Sequence, residues 1–253
     1  MPNRSAVAVS CTNLAKRYGN GAPVLKDISL QIDTGETIAL IGSNGAGKST
    51  LLKCLIGLHD ISGGKLNILG EQFERAPTGA QRKAIRRQIG FVFQQHGLVK
   101  RLSAHSNVVQ GFFGLAGGWR AVSQMTASQD MRLAAMEALE AVNLTEKAQS
   151  RADQLSGGQS QRVAIARALV RQPKLFIADE PAASLDPSSG RDVMERFSHL
   201  AKDFGITLIF TSHDMEHALS YADRLIALKD GAVFIDAATA DLKSKDLAGV
   251  FDG

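Results

Sequence analysis

Two cysteines among 253 residues, Cys11 and Cys54, are too few for a disulfide framework or a zinc site. Long apolar runs are missing as well. None approaches the ~18 residues of a bilayer-spanning helix. The amino terminus, Met1-Pro2-Asn3-Arg4-Ser5, has no hydrophobic signal region behind it, so we expect a soluble, cytoplasmic chain. If the chain serves a membrane process, the membrane part belongs to another protein. Charge of one sign is scarce: the formal net charge is +4. So mild an excess does not demand nucleic acid, whose binders concentrate basic residues on one face. The one basic cluster, Arg82-Lys83 with Arg86-Arg87, reads as a solvated helix face. Internal repeats and low-complexity segments are absent.

What is present is an ordinary globular composition, 44% hydrophobic, in a length that suits one large α/β domain or a core with an insertion. Val7-Ala8-Val9 and Ile28-Ser29-Leu30-Gln31-Ile32 alternate with period two and predict short antiparallel strands around a turn at residues 19–23. Apolar runs predict strands at 37–41, 65–70, 89–93, 174–178, 206–210 and 224–228, with a hairpin partner at 231–235. Helices are expected at 51–58, 78–87, 160–170, 188–203 and 214–222. From about 95 to 165 strand signals vanish, and residues 130–142 carry helical apolar spacing. We read this stretch as a helical insertion. Strands alternating with helices imply a largely parallel sheet with right-handed crossovers.

The chemistry centres on Gly42-Ser43-Asn44-Gly45-Ala46-Gly47-Lys48-Ser49, followed by Thr50. It fits the phosphate-binding pattern G-x-x-x-x-G-K-[ST] and lies between a predicted strand and a predicted helix, the context that pattern requires. Glycines permit positive φ and let backbone N–H groups converge on phosphate oxygens at a helix N-terminus. Lys48 is placed to reach the β- and γ-phosphates and the Ser49 hydroxyl to ligate Mg²⁺. A second acidic element, Asp179-Glu180, ends the predicted strand 174–178. Asp179 suits the Mg²⁺ coordination shell, and Glu180 suits orienting or deprotonating an attacking water. A third element, Ser156-Gly157-Gly158-Gln159, opens a helix and forms a second anion-binding nest, for which a simple kinase or GTPase has no use.

Taken together, residues 42–50, the run Leu155-Ser156-Gly157-Gly158-Gln159 continued through Leu169, Asp179-Glu180-Pro181 and His213 resemble the ATP-binding subunit of ABC transporters. The motifs occur in that family's order and span nearly the whole chain. The resemblance implies one ATPase domain over residues 1–253: an α/β P-loop (RecA-like) core at about 1–94 and 166–253, with an N-terminal antiparallel β subdomain and a helical subdomain at about 95–165. It implies ATP and Mg²⁺ as ligands, and head-to-tail dimerisation in which Ser156, Gly157, Gly158 and Gln159 complete the ATP site of the opposite subunit. It makes Tyr18 the aromatic that stacks on adenine. Gln94 becomes the glutamine that senses Mg²⁺ and water and links to membrane subunits, and His213 the contact to the γ-phosphate. Asp186 falls in the segment that communicates across the dimer. Ser160 stands where many relatives carry glutamine, and Ala182-Ala183 where threonine or serine is frequent. Neither departure removes a group the chemistry needs.

Within the family, Leu98-Val99-Lys100-Arg101-Leu102-Ser103, then Asn107-Val108, then Trp119-Arg120, resemble the ATPases of phosphonate importers. Importers of phosphite, phosphate esters or other small anions fit a similar sequence. The expected partners are a second copy, integral-membrane permease subunits and, indirectly, a periplasmic or extracellular binding protein, with no nucleic acid. The expected location is peripheral, on the cytoplasmic face of the inner (plasma) membrane. Two other readings stay open: a soluble accessory ATPase, such as a subunit of a phosphonate-degrading complex, and a small-molecule kinase.

Overall fold

A computed structural model describes residues 6–93, 96–115 and 117–250. Its strands are β1 (Val7–Arg17), β2 (Pro23–Asp33), β3 (Thr37–Ile41), β4 (Gly63–Ile68), β5 (Glu71–Phe73), β6 (Ile89–Val92), β7 (Leu175–Ala178), β8 (Thr207–Thr211), β9 (Arg224–Lys229) and β10 (Ala232–Ala238). Its α-helices are α1 (Lys48–Leu55), α2 (Gly79–Gln88), α3 (Ala104–Val109), α4 (Gln129–Ala141), α5 (Gly157–Leu169), α6 (Pro187–Asp203) and α7 (Met215–Tyr221). The larger sheet runs β10-β9-β3-β8-β7-β6 and is parallel except for β10. The smaller one, β2-β1-β4-β5, is antiparallel throughout.

The larger sheet is covered on both faces, which explains why its strands read as unbroken apolar runs. Alternate residues of β3 enter different cores. Ile38 and Leu40 pack toward α1 and the antiparallel sheet, while Ala39 and Ile41 pack toward α3 to α7. β7 divides the same way, with Leu175 and Ile177 on one side and Phe176 and Ala178 on the other. Helix α6 shows why a sequence period becomes a buried stripe. Val193, Met194, Phe197, Leu200 and Ala201 are buried at helical spacing, and the helix opens with Asp186 as N-cap and Pro187 in its first turn. Parallel registry matters most for function. Leu40 lies beside Thr211 and Ala178 beside Phe210, so the segments after β3, β7 and β8 leave the sheet at one end.

β1 and β2 are each 11 residues long, well beyond the short segments whose alternation is visible in the sequence. Their pairing slips several times, and Asn13 (φ 51°) and Asp27 (φ 54°) take left-handed conformations, so the two-residue period is broken along the strands. Between β6 and β7 all the described regular elements are helical. Helix α3 has too few residues for a periodic signal, and its start is set by the Ser103 hydroxyl accepting from the Ser106 amide. Helix α5 runs unbroken through residue 165.

Candidate active site

The loop from Gly42 to Lys48 joins β3 to α1 in the conformation its glycines make possible. Gly42, Gly45 and Gly47 have φ of 148°, 87° and 105°. Helix α1 starts directly after Gly47, and Leu51 N donates to Gly47 O at 2.8 Å. The loop amides and the first turn of α1 therefore form a compact anion nest at the positive end of a helix dipole. Lys48 is 6% exposed, and its ammonium donates to Gly42 O at 2.7 Å and Ser43 O at 3.2 Å. Burial pushes the Lys48 amine below the usual lysine range, and the carboxylates of Glu180 and Asp179 pull it back. A polyanion in this nest supplies the negative charge that a buried ammonium lacks.

The two carboxylates meet the loop from β7. Asp179 Oδ1 lies 3.4 Å from Ser49 Oγ and accepts from Thr211 Oγ1 at 2.9 Å. Thr211, the buried last residue of β8, also accepts from the Glu180 amide at 2.7 Å. One hydroxyl thus ties both acidic residues to the neighbouring strand. Sequence reasoning missed it, because a threonine ending a β-branched strand carries no signal of its own. Glu180 stands at φ 50°, a costly conformation for a residue with a Cβ. Its Oε1 is 2.6 Å from His213 Nε2. A Ser49 hydroxyl beside an Asp179 oxygen is a hard-oxygen pair of the kind Mg²⁺ uses together with phosphate and water. Glu180, the next residue, turns its carboxylate to His213 instead.

Tyr18 follows β1 and is 45% exposed, with its hydroxyl 3.5 Å from Thr50 Oγ1 and its ring edge-on to His59. The structure therefore brings Tyr18, residues 42–50, Asp179, Glu180 and His213 to one end of the larger sheet. Ser156, Gly157, Gly158 and Gln159 are engaged elsewhere. Ser156 Oγ accepts from the Gln159 amide at 3.2 Å, and Gln159 Oε1 accepts from the Ser156 amide at 3.0 Å. This reciprocal capping box satisfies the start of α5. The two glycines pack beside Leu185 and Ser189, and among the described residues no hydrogen bond from these four reaches residues 42–50. Asp186 caps α6 at the same place, accepting from Ser188 Oγ at 2.6 Å and the Ser189 amide at 3.0 Å. Gln94 lies outside the described residues.

A glycine nest between a parallel strand and a helix, with paired carboxylates just after a strand two places away in the same sheet, defines a P-loop nucleotide-binding protein. Residues 25–183 match the family model described as ABC transporter, and the chain belongs to that family. It is 41% identical to the phosphonates import ATP-binding protein PhnC of Lactobacillus johnsonii, over 97% of this chain and 96% of that one. The protein of the same name from Frankia casuarinae is 43% identical over 93% and 92%. Among solved structures, the ATP-binding cassette MJ0796, dimeric in a post-hydrolysis state with ADP and Pi, aligns with TM-score 0.77 and 34% identity. The alignment covers 91% of this chain and 98% of that one. cbiO1 from Clostridium perfringens, part of the ABC transporter complex cbiONQ, aligns with TM-score 0.82 and 29% identity over 94% and 90%.

Proposed function

We propose that this chain is the ATP-hydrolysing subunit of an ABC importer for phosphonates or a related small phosphorus oxyanion. One observation carries the mechanism: the two anion nests, at Gly42–Ser49 and at Ser156–Gln159, are separate within a single chain. A triphosphate bound in the first nest is closed over by the second nest of another copy. That is why a cassette with a complete phosphate loop still needs a partner. The dimeric ADP- and Pi-bound relative supports the same arrangement. The near full-length likeness to phosphonate import proteins supports the cargo, although selection itself lies with the binding protein and permease.

In this reading Tyr18 stacks on adenine, Lys48 and the loop amides hold the phosphates, and Ser49 and Asp179 hold Mg²⁺ with Gln94. The metal would neutralise charge on the phosphate oxygens. Glu180 orients and deprotonates the attacking water, and His213 holds the Glu180 carboxylate until a γ-phosphate takes up its Nε2. Hydrolysis then separates the two copies. We place the division at a core of about 1–94 and 166–253 and a helical subdomain of about 95–165. The cleft between them is lined by Phe91, Phe93 and Phe113 with Arg86, Arg167 and Arg171. Among the described residues no carboxylate pairs with these three arginines, and Arg167 donates only to the His96 and Gly97 carbonyls. An apolar segment with an acidic end, presented by a permease on the cytoplasmic face, fits this cleft. In this reading the chain sits peripherally on the cytoplasmic face, held there by the permease; no helix among the described residues is long and apolar enough to cross a membrane.

The test is Glu180→Gln. It should bind ATP as tightly as the parent, lose turnover by about 10²-fold or more, and accumulate as an ATP-bound dimer on size exclusion. Hydrolysis at the parental rate would remove Glu180 from the mechanism. Co-purification with soluble phosphonate-degrading enzymes and no polytopic membrane protein would favour the accessory reading instead.

A further inference from the structure

The phosphate loop rests on chain that is distant in sequence and that no nucleotide contact explains. Val24 and Leu25, at the start of β2, lie against Gly47. A Cβ there would stand 2.7 Å from Leu25 Cδ2 and 3.2 Å from Val24 O. The same carbonyl faces a second glycine, since a Cβ on Gly231 would stand 2.3 Å from Val24 O. A single peptide group is therefore pressed between the glycine that opens α1 and the glycine that turns β9 into β10. The Lys26 amide donates to Gly231 O at 2.7 Å and pins the two segments together. At the other end of the loop, a Cβ on Gly42 would stand 2.3 Å from Leu228 O, in the strand that leads into the same hairpin.

The hairpin is built to be stiff. Ala232 faces Lys229, leaving Asp230 (φ 49°) and Gly231 (φ 81°) as a two-residue turn with both residues left-handed, the form that matches strand twist. Lys229 donates to Gly249 O at 2.9 Å, and the nearby Leu247 and Val250 are fully buried, so the segment after β10 anchors the hairpin beside its turn.

We infer that the Asp230-Gly231 hairpin is a positioning device for ATP. Through Leu228 it sets Gly42, and through Val24–Leu25 it sets Gly47, so it holds both ends of the phosphate nest at the spacing a triphosphate needs. Gly231 touches no nucleotide and acts only through this stack of backbone. Close packing at each step leaves no slack to absorb a displacement, so a shift at Gly231 is passed on to the loop amides that hold the phosphates. The inference rests on the reading that residues 42–50 bind ATP.

Gly231→Ala and Gly70→Ala form a matched pair. Gly70 lies in another two-residue turn with Leu69 (φ 51°) and has φ 91°, but a Cβ there meets nothing within 4 Å. Both variants carry the same kind of backbone strain, and only the first pushes on Val24 O. With a fluorescent ATP analogue and the full chain, Gly231→Ala should raise the dissociation constant about tenfold, the effect of losing one good phosphate contact. Gly70→Ala should change it by less than about twofold, and kcat at saturating ATP should stay within about threefold in both. Equal affinity of the two variants overturns the inference. Should Gly231→Ala fail to fold, hydrogen exchange on the wild-type chain decides, because coupling is reciprocal. ATP should slow exchange of the Lys26 amide together with that of Leu51 in α1. Slowing at Leu51 with none at Lys26 overturns the hairpin's role. Slowing at neither overturns the ATP reading and this inference with it.

Discussion

The Thr211 hydroxyl donates to Asp179 and accepts from the Glu180 amide, so the acid we propose for the metal and the acid we propose for water are aligned by one side chain. Thr211→Val keeps the shape and removes both bonds. The Glu180 amide would lose its acceptor, a change worth about 1–3 kcal/mol when the group stays buried. We expect kcat to fall with ATP affinity little altered, and Thr211→Ser to restore most of the rate. Steady-state kinetics of the three proteins check this, and unchanged kcat in the valine variant would rule it out. The residues of the phosphate loop were legible because spacing alone encodes them. Thr211 was not, because its role exists only once β7 and β8 lie side by side.

Helix α6 shows how an element boundary carries chemistry. Asp186 caps α6, and the Ser188 hydroxyl together with the Ser189 amide holds its carboxyl far below the ordinary carboxylate value of 3.8. A depressed folded-state pKa stabilises the fold above the ordinary value, and that contribution is lost as pH falls through the folded value. Asp186→Ala should therefore lower Tm at neutral pH. The gap to the parent should persist down to the ordinary carboxylate range and close only below it, as calorimetry across that range would show. A gap already closed at neutral pH would deny the cap any role. Further along α6, Phe197 is fully buried edge-on to Phe176, with ring centroids 5.2 Å apart. Phe197→Ala should cost about 3–5 kcal/mol in urea unfolding. Helix α6 was readable from its apolar stripe. The full lengths of β1 and β2 were not, because Asn13 and Asp27 interrupt the alternation that would have announced them.

At the scale of the whole molecule, one end of the larger sheet gathers the nucleotide groups, while the cleft with Phe93 and Phe113 offers apolar surface ringed by arginines. Phe113, 41% exposed, gives that cleft an aromatic anchor. If the proposed permease docks in this cleft, Phe113→Asp should weaken its capture by about 2 kcal/mol or more, the usual cost of removing an aromatic anchor. Co-purification from membranes reads this directly, and retention at the parental level would move the docking surface elsewhere. The sequence by itself determined the P-loop class and marked Asp179, Glu180 and Ser156–Gln159 as candidates, because each depends on residue type at fixed local spacing. Only the tertiary structure decided which of them share a site. Parallel registry of β3, β7 and β8 brings Lys48, Asp179, Glu180 and His213 together, while the capping box on α5 keeps Ser156 and Gln159 occupied in a region of their own. The support of the phosphate loop by Val24, Leu228 and Gly231 belongs to the same category, since backbone contacts between distant segments leave no trace in local pattern.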